Sequence, residues 1–341
     1  MITIKEIAEM AGVSIGTVDR VIHKRGRVSS DTKKRIREII RETGYVPNIQ
    51  ARNLVLSKRY NLKVLMPYPE QDNGFWARPS AGVDRAQSEL AMFKVKIEKL
   101  YFDRYSEADF ITKSTEAVSS SPDGILVAPV LTEASTEFCQ SVPEDISLVL
   151  FDTPLPGVAP LCFIGQNSYY SGKACAHLLS YIVSNGKNIA AVQIIPADVH
   201  IQQRINGFCS FFDKKSQPRL FYIHHQDDRD EYAQLLEKIL NDGVKTEAIY
   251  VSNASVFNIA ENIAERGLDI KILGYDLTDT NRKLLEEQKI DFLISQCPDQ
   301  QAYLGIRQLY RHLVLKEPVE SSIVMPIDII ARENLQFYKS F

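Results

Sequence analysis

The sequence has few cysteines, and none of them is placed for a disulfide framework or a metal site. All five are scattered, without a CxxC pair or a histidine at metal-ligand spacing: Cys139, Cys162, Cys175, Cys209 and Cys297. The first residues, MITIKEIAEMAG, lack the long apolar run of a secretory signal and carry acidic side chains. Reduced thiols and a cytoplasmic location are therefore expected. No stretch approaches about 18 uninterrupted apolar residues, so no membrane span is expected.

Motifs of nucleotide and catalytic chemistry are also missing. Neither GxGxxG nor a P-loop motif follows a predicted strand, which leaves dinucleotide and P-loop chemistry without support. Asp152 and Asp276 could serve as the acid and base of a glycosidase, but no nucleophile elbow or metal site accompanies them. One histidine cluster lies at a predicted strand end and loop, where a solvated turn is favoured over a metal site: His224, His225, Asp227 and Asp228. We expect no enzyme, no catalytic residues, no metal and no cofactor.

Charge is distributed unevenly along a chain whose formal net charge is only −3. Residues 1–60 contain thirteen Lys and Arg against six Asp and Glu, a local net charge of +7 that leaves −10 for the remaining residues. A basic unit at the start of an acidic chain indicates a polyanionic partner for that unit alone.

Three short helices are predicted in the first 45 residues. Thr3–Glu6 forms a capping box for the first helix, Gly12 ends it, and Ser14 caps the second. Ser29 or Ser30 begins the third helix, which offers basic side chains outward. The tight Gly-Val turn between the first two helices predicts a helix-turn-helix, whose second helix enters the major groove of DNA. A small helical bundle of another kind is the alternative, which the basic charge disfavours.

The same segment resembles a known headpiece in detail. IKEIAEMAGVSIGTVDRVIHKRGRVSSDTKKRI, followed by GYVPN and ARNL, is similar to the DNA-binding headpiece of the lactose-repressor (LacI/GalR) family over residues 3–56 without a gap. The resemblance implies a headpiece at residues 1–47 that binds near-palindromic double-stranded operator DNA as a homodimer. It also implies contacts to DNA from Ile15, Gly16, Thr17, Arg20, His23, Asn48 and Leu54.

The resemblance gives these side chains different roles. Thr17 would bond a phosphate, and Arg20 would bond guanine O6 and N7 bidentately. Ile15 and Gly16 match the variable base-reading positions but offer little hydrogen bonding, so Arg20 carries an unusual share of direct readout. Asp19 departs from the usual Ser: it either accepts a bond from cytosine or pairs sideways with a neighbouring base such as Arg20. His23 likewise replaces the usual Asn.

Residues 48–60 match the hinge helix and linker of the family. Leu54 aligns with the leucine that wedges into the minor groove and kinks the DNA. The alternative for Leu54 is a contact between the two hinges of a dimer, a role that we assign to Val55 instead. The hinge is expected to fold when the dimer binds DNA.

From residue 61 onward, short apolar strands alternate with helices. Strands are predicted at 63–66, 95–101, 124–127, 147–151, 162–164, 189–195, 220–223, 248–251, 270–274 and 292–294. Helices are predicted at 79–90, 106–119, 169–185, 202–213, 229–241, 254–266, 278–287 and 299–315. This alternation predicts an α/β unit of parallel sheets with helices on both faces.

Ligands of such sheets lie beyond the carboxyl ends of the strands. Aromatic, acidic and amide side chains suited to a polyhydroxylated ligand fall at those ends: Phe75, Trp76, Asp152, Arg204, Asn253, Asp276 and Gln296. The stretches NGFWARPSAGVDRA, FIGQNSYYSGKACAHLL, RINGF, ILGYD and FLISQCPDQQAYLGI resemble the periplasmic-binding-protein-like sensor domain of the same family. The seven side chains align with its sugar-contacting positions.

The resemblance implies a two-lobed effector-binding and dimerisation domain over residues 61–341, with crossovers near 166–168, 295 and 325. It implies a transcription regulator, most simply a repressor, whose small-molecule effector is a sugar or polyol. A purine or other small metabolite is the alternative effector, and a vestigial cleft in a constitutive regulator is a further alternative. Asn73–Trp76 departs from the usual Asn-Pro-Phe-Phe, and the stretch Pro67–Asn73 is longer than usual, which could reshape one wall of the cleft.

Overall fold

A computed structural model describes residues 4–22, 28–43, 58–183, 185–225 and 228–338. The chain divides into two compact units, Met1–Ser57 and Lys58–Phe341. We call them the headpiece and the body. In the described residues no helix is long and apolar enough to span a membrane.

The headpiece packs three helices around a small apolar core: α1 (Ile4–Ala11), α2 (Ile15–Ile22) and α3 (Ser30–Thr43). Each helix contributes apolar side chains at helical spacing: Ile7, Ala8, Ala11, Val18, Val21, Ile36 and Ile39. The α1–α2 turn is possible because Gly12 adopts a left-handed φ of 63°. Ser14 caps α2 by accepting the Thr17 N–H at 3.2 Å, and Ser29 caps α3 by accepting the Thr32 N–H at 3.3 Å.

The first sheet of the body has the strand order β11-β5-β4-β3-β1-β2, with all neighbours parallel. Its strands are β1 (Tyr60–Pro67), β2 (Val95–Phe102), β3 (Gly124–Val127), β4 (Ser147–Phe151), β5 (Cys162–Gln166) and β11 (Ser322–Met325). The helices of this lobe are α4 (Ala77–Leu90), α5 (Glu107–Ser119), α6 (Thr132–Ser141) and α12 (Pro298–Tyr310). We call this layered unit lobe 1.

The second sheet has the order β12-β10-β9-β8-β6-β7, parallel except for the β10–β12 pair. Its strands are β6 (Ile189–Ile194), β7 (Arg219–Ile223), β8 (Ala248–Val251), β9 (Lys271–Tyr275), β10 (Phe292–Ser295) and β12 (Asp328–Ile330). The helices are α7 (Ser168–Ser180), α8 (Val199–Ser210), α9 (Arg229–Leu240), α10 (Val256–Glu265) and α11 (Asp279–Glu286). We call this unit lobe 2.

Both faces of the second sheet are buried, as the two-residue period of its strands requires. In β8, Ile249 and Val251 enter one core cluster, whereas Ala248 and Tyr250 enter the other. Such strands have no polar face, and for this reason they are continuous apolar runs in the sequence. The α/β fold predicted from that alternation is confirmed.

The element predictions fail where helices end and at the carboxyl-terminal strands. The helix predicted over 169–185 ends at Ser180, and the last of the predicted helices is α-helical only to Tyr310 before a π-helical turn, Arg311–Leu315. Helix α6 was not predicted, since the polar segment TEASTEFCQS shows little apolar periodicity. Strands β11 and β12 were also missed, because they are only four and three residues long.

The chain crosses between the lobes at 167, 296–297 and 326–327. Gln166, the last residue of β5, ties these crossings together. Its side-chain amide donates to the carbonyl oxygens of Ser295 at 3.2 Å and Pro326 at 2.7 Å. One buried glutamine therefore fixes the three crossings at a common place, about which the lobes could rotate.

Candidate DNA-contacting helix and ligand cleft

Helix α2 has one buried face and one exposed face. Val18 and Val21 are buried in the headpiece core, while Ile15, Gly16 and Arg20 are exposed, Ile15 by 47%. A single exposed isoleucine is common on protein surfaces and does not by itself indicate a partner. The three predicted base-reading positions of α2 thus share its solvent-facing side.

Thr17 is half-buried, and its hydroxyl lies 2.9 Å from the Ser14 hydroxyl. The Thr17 hydroxyl therefore already has one hydrogen-bond partner within the protein, and the predicted bond to a DNA phosphate would be its second. Asp19 is half-buried on α2, and its role stays a prediction. The predicted contacts His23, Asn48 and Leu54 lie outside the described residues, as does the hinge as far as residue 57.

Helix α3 adds a basic surface to the headpiece. A shallow groove along it is lined by Ser30, Lys33, Lys34, Arg37, Glu38 and Arg41. These cations recur at three- and four-residue spacing, which places them on one side of the helix. They supply the electrostatic attraction to a polyanion that the local charge of +7 predicted.

All seven predicted ligand residues line one cleft between the lobes of the body. The empty space of the cleft, with the solvent at its mouth, is about 420 Å³. Its walls are formed by Asp72, Phe75, Trp76, Arg104, Asp152, Ile194, Asp198, His200, Ile201, Arg204, Asn253, Ala254, Asp276 and Gln296. The seven residues were chosen because they follow the carboxyl ends of predicted strands. The fold brings them together in one cleft although they are up to 221 positions apart, from Phe75 to Gln296.

Two aspartates stand at equivalent places on opposite lobes. Asp152 follows β4 and Asp276 follows β9, and both adopt left-handed φ values, 69° and 67°. Their backbone N–H groups still donate to the neighbouring strand, at 3.0 Å to Ile164 and 2.8 Å to Ile294. The strand is thus held in register up to the aspartate, where the backbone turns out of the sheet at the cleft.

Arg204 is the central cation of the cleft, with 1% of its surface exposed. Its Nη1 donates to the Ser252 carbonyl at 3.0 Å, and its Nη2 donates to Gln296 Oε1 at 3.0 Å. The guanidinium carbon lies 3.8 Å from the centre of the Tyr275 ring. Arg204 is therefore fixed in place, while its Nε–H group still lacks an acceptor among the described protein atoms.

The placement of Arg204 depends on a close crossing of α7 and α8. A Cβ at Gly172 would lie 1.9 Å from the Arg204 carbonyl oxygen, and one at Gly207 would lie 1.8 Å from that of Tyr169. Only glycine fits at either position. The short spacing of Arg204 and Gly207 in RINGF thus has a structural cause, since the glycine admits the neighbouring helix one turn away from the arginine.

Burial determines the protonation of the cleft aspartates. It raises the pKa of Asp152 to about 6 and that of Asp276 to about 7, and Arg204 only partly offsets the effect. Asp152 Oδ2 accepts from the Thr153 hydroxyl at 3.1 Å, whereas Oδ1 has no partner among the described protein atoms. Within the described part of the chain, the side chain of Asp276 accepts from Gln296 Nε2, at 3.2 and 3.3 Å, and from no other group.

Phe75 and Trp76 are almost fully buried, with Trp76 only 1% exposed. Their rings meet edge to face, with centroids 4.9 Å apart, and Trp76 also contacts Phe151 at 6.3 Å. Trp76 Nε1 donates to Asp72 Oδ2 at 2.7 Å. Both aromatic residues belong to the core of lobe 1 and also line the cleft, so each can contribute to stability and contact a ligand.

A charged triad at the cleft was missed by the sequence analysis. Arg104 of lobe 1 donates to Asp72 on the same lobe and, at 3.1 Å, to Asp198 on lobe 2. Burial opposes the charge of Arg104, but the two carboxylates outweigh it and raise the pKa of the guanidinium. Asp72 lies in the unusually long stretch before Phe75, the one feature that pointed to an altered cleft wall.

Further hydrogen bonds join the lobes beside this triad. Asn73 donates to the Thr278 hydroxyl at 2.9 Å and accepts from Thr280 at 3.3 Å. The Thr153 hydroxyl lies 2.7 Å from Nδ1 of His200. Burial, reinforced by the positive charges of Arg204 and Arg104, lowers the pKa of His200 well below its ordinary value, so the ring is neutral.

His224, His225 and Asp228 of the histidine cluster do not line the cleft, and Asp227 lies outside the described residues. His224 is exposed and lies 3.0 Å from Glu231 Oε1, and Asp228 caps α9 by accepting from the N–H groups of Asp230 and Glu231. In the described part of the chain no group of three potential ligands could hold a metal ion.

Comparison with known proteins agrees with this architecture. The body from 64 to 317 matches the model described as "Periplasmic binding protein domain", and residues 3–48 match "Bacterial regulatory proteins, lacI family". The fold and the cleft define a two-lobed binding domain joined to a helix-turn-helix. The chain belongs to the lacI family and is a DNA-binding transcriptional regulator rather than an enzyme.

Relatives share this organisation along their whole length. Catabolite control protein A of Priestia megaterium is 26% identical over 337 residues, covering 95% of this chain and 96% of the relative. The ribose operon repressor of Lactococcus lactis is 22% identical over 353 residues, covering 98% of each. A crystal structure of a Bacteroides fragilis protein described as a LacI transcriptional regulator has a TM-score of 0.77 at 25% identity, covering 83% of this chain and all of that one.

Proposed function

We propose that this regulator is a homodimeric repressor whose affinity for its operator is controlled by a sugar or polyol bound in the cleft of the body. The observation that carries the proposal is a set of unused polar atoms in an enclosed site. Asp152 Oδ1 and Arg204 Nε are buried and have no hydrogen-bond partner among the residues that the structure describes. Such atoms cost free energy unless a ligand or water satisfies them.

The chemistry of the unused atoms favours a polyhydroxylated ligand. A hydroxyl group both donates and accepts, so it can serve a carboxylate and a guanidinium at once. Asp152 stands on lobe 1, whereas Arg204 and Asp276 stand on lobe 2. A ligand that bridges them would stabilise one angle between the lobes, and by linkage it would change any property that depends on that angle.

The repressor role rests on the relatives. One of them bears the name ribose operon repressor and spans nearly the whole chain. Homodimerisation and the hinge over 48–60, with Leu54 as the minor-groove wedge, rest on the resemblance of the headpiece. Near-palindromic operator DNA follows from the two-fold symmetry of such a dimer.

A screen with two readouts tests the proposal. The full-length protein is mixed with sugars, polyols and nucleobases, and both its melting temperature and its retention of operator DNA in a mobility shift are measured. We expect at least one sugar or polyol to raise the melting temperature and to change DNA retention. A response to nucleobases alone would favour a purine sensor, and no response from any compound would favour a vestigial cleft.

A purine is the less suitable ligand on present geometry. A flat base stacks on an accessible aromatic face, whereas the rings of Phe75 and Trp76 are almost fully buried and pack against each other edge to face, at 90°.

A further inference from the structure

The cleft holds more negative than positive side chains. Four carboxylates line it, from Asp72, Asp152, Asp198 and Asp276, against two guanidinium groups, from Arg104 and Arg204. His200, the remaining titratable residue of the lining, is neutral for the reasons given above. With every carboxylate ionised, the lining therefore carries an excess of two negative charges.

The four carboxylates fall into two groups with different partners. Arg104 satisfies the outer group directly, since it bonds to both Asp72 and Asp198. For the inner group, Asp152 and Asp276, no cation in the described ranges of the chain forms a comparable ion pair. Arg204 uses Nη1 and Nη2 for the Ser252 carbonyl and Gln296, and no ion pair within 4.0 Å joins it to either inner carboxylate.

Groups around the lining do not supply the missing charge. Arg78, at the start of α4, is close enough to be influenced by Asp276, but its strongest acidic neighbour is Asp299, and Asp279 shares it too. Thr153 and Gln296 give Asp152 and Asp276 neutral donors only. Two buried carboxylates thus face the cleft without a directly bonded cation, an arrangement that costs free energy until a positive charge arrives.

We propose that the cleft selects its effector by charge, binding a sugar or polyol that carries a protonated amine more tightly than the uncharged parent compound and excluding sugar acids and sugar phosphates. The inference rests on the proposed function, because it assumes a sugar-like effector in this cleft. An ammonium group can donate three hydrogen bonds, which suits Asp152 Oδ1 and the free lone pairs of Asp276. An acidic group would add to the excess negative charge.

The protonation of the inner carboxylates agrees with this assignment. Burial raises the pKa of both, so the free protein holds part of a proton there near neutral pH. A bound ammonium group favours the ionised forms and lowers both values. Binding of the amine should therefore release protons, whereas binding of a sugar acid would require their uptake.

Calorimetry with matched ligands tests the selection. The full-length protein is titrated with sets that share one sugar skeleton: the amino sugar, the parent hexose, the uronic acid and the hexose 6-phosphate. For a skeleton that binds, we expect the amino sugar to bind roughly ten-fold tighter than its parent, and the two acidic members not to bind. Repeating the titration in buffers of different ionisation enthalpy should show proton release for the amino sugar.

Two variants connect the preference to the cleft. Asp152→Asn removes one inner charge and should abolish the preference for the amine, which is measured as the ratio of the two affinities within the variant and therefore does not depend on how well the variant still binds the parent hexose. Asp145→Asn removes an exposed carboxylate beyond the amino end of the same strand, β4, and should keep the preference. Asp276→Asn repeats the test from lobe 2 should Asp152→Asn melt below the assay temperature.

The outcomes separate this inference from the proposed function. Binding of an acidic member as tightly as its parent, or an unchanged preference in both cleft variants, would overturn the charge selection and leave a sugar effector standing. Absence of binding by every member of every set would contradict the proposed function, and this inference with it.

Discussion

Arg20 and Arg204 carry the same guanidinium group in opposite surroundings. Arg20 lies exposed on α2 of the headpiece, where the helix core is complete without it. Arg204 is 1% exposed. It donates to the backbone carbonyl of Ser252, just after β8, and to the side chain of Gln296, where the chain crosses between the lobes. From this contrast we expect that the proposed DNA-reading surface can change without affecting the fold, whereas the proposed ligand residues of the cleft also hold the body together.

The strongest test of this contrast replaces each arginine by methionine. Arg204→Met leaves the Ser252 carbonyl and Gln296 Oε1 without their hydrogen-bond donor in a buried site, and it removes the stack on Tyr275. We therefore expect a loss of about 3 kcal/mol in the free energy of unfolding of the body. Arg20→Met should change stability by less than about 0.5 kcal/mol. Urea unfolding measures both, and equal losses in the two variants would contradict the comparison.

Arg20 should instead affect the choice of DNA. Its position on the exposed face of α2 predicts that Arg20→Ala loses about 1–3 kcal/mol of discrimination between operator and scrambled sequences. Arg37→Ala, on the basic surface of α3, is the matched control, because a phosphate contact weakens both DNAs alike. Fluorescence anisotropy at fixed salt gives the two affinities. Unchanged selectivity in Arg20→Ala would remove it from base reading.

The sequence predicted the residues that line the cleft between the strands better than it predicted the ion pairs that join the two lobes across it. Asp152 and Asp276 could be found because each follows an apolar strand directly, and parallel strands share one carboxyl edge. Arg104 comes two residues after the end of β2, so the same rule applied to that strand would have included it. Asp72 and Asp198 also lie beyond strand ends, five residues after β1 and four after β6. Their contacts were not predictable, because the position of Asp72 depends on its left-handed φ of 54° and the bond of Asp198 to Arg104 depends on the angle between the lobes.

The fold was predictable for a similar reason. Strands buried on both faces are continuous apolar runs, and the helices between them bury one face. Boundaries were less accurate, as at Ser180, because the end of a helix depends on which surface remains to be covered. The short strands β11 and β12 exist through pairing with β5 and β10, which no local pattern in their own sequence specifies.

The charged triad of Asp72, Arg104 and Asp198 can be tested for its role in holding the two lobes together. Asp198 precedes α8 but its side chain accepts no capping bond there, so Asp198→Asn should leave the helix intact. The change weakens the Arg104 bond across the lobes by about 1 kcal/mol, a roughly five-fold increase in lobe opening. Hydrogen exchange in the ligand-free protein should then be faster at residues 70–76 and 278–280. Asp145→Asn is the control, and unchanged exchange in Asp198→Asn would show that the triad does not hold the lobes.

The smallest effect concerns pH, and it again separates the cleft from the headpiece. Burial raises the pKa of Asp276 to about 7, above the value of about 3.9 in an unfolded chain. Between these values the folded protein binds more protons than the unfolded chain, so this carboxyl group destabilises the body increasingly as pH rises toward 7. His200 acts in the opposite direction, because its pKa is lowered on folding and the unfolded chain takes up its proton below about pH 6.5.

The contribution of Asp276 to this pH dependence is obtained as the difference in unfolding free energy between the wild type and Asp276→Asn. We expect the wild type to gain about 1 kcal/mol relative to the variant as pH falls from about 7 to about 6. Asp31→Asn, an exposed carboxylate in the first turn of α3, should show no such dependence in the same titration. A flat difference for Asp276→Asn would mean that the carboxyl group is already ionised across this range in the folded protein, and that a cation from within the chain compensates it.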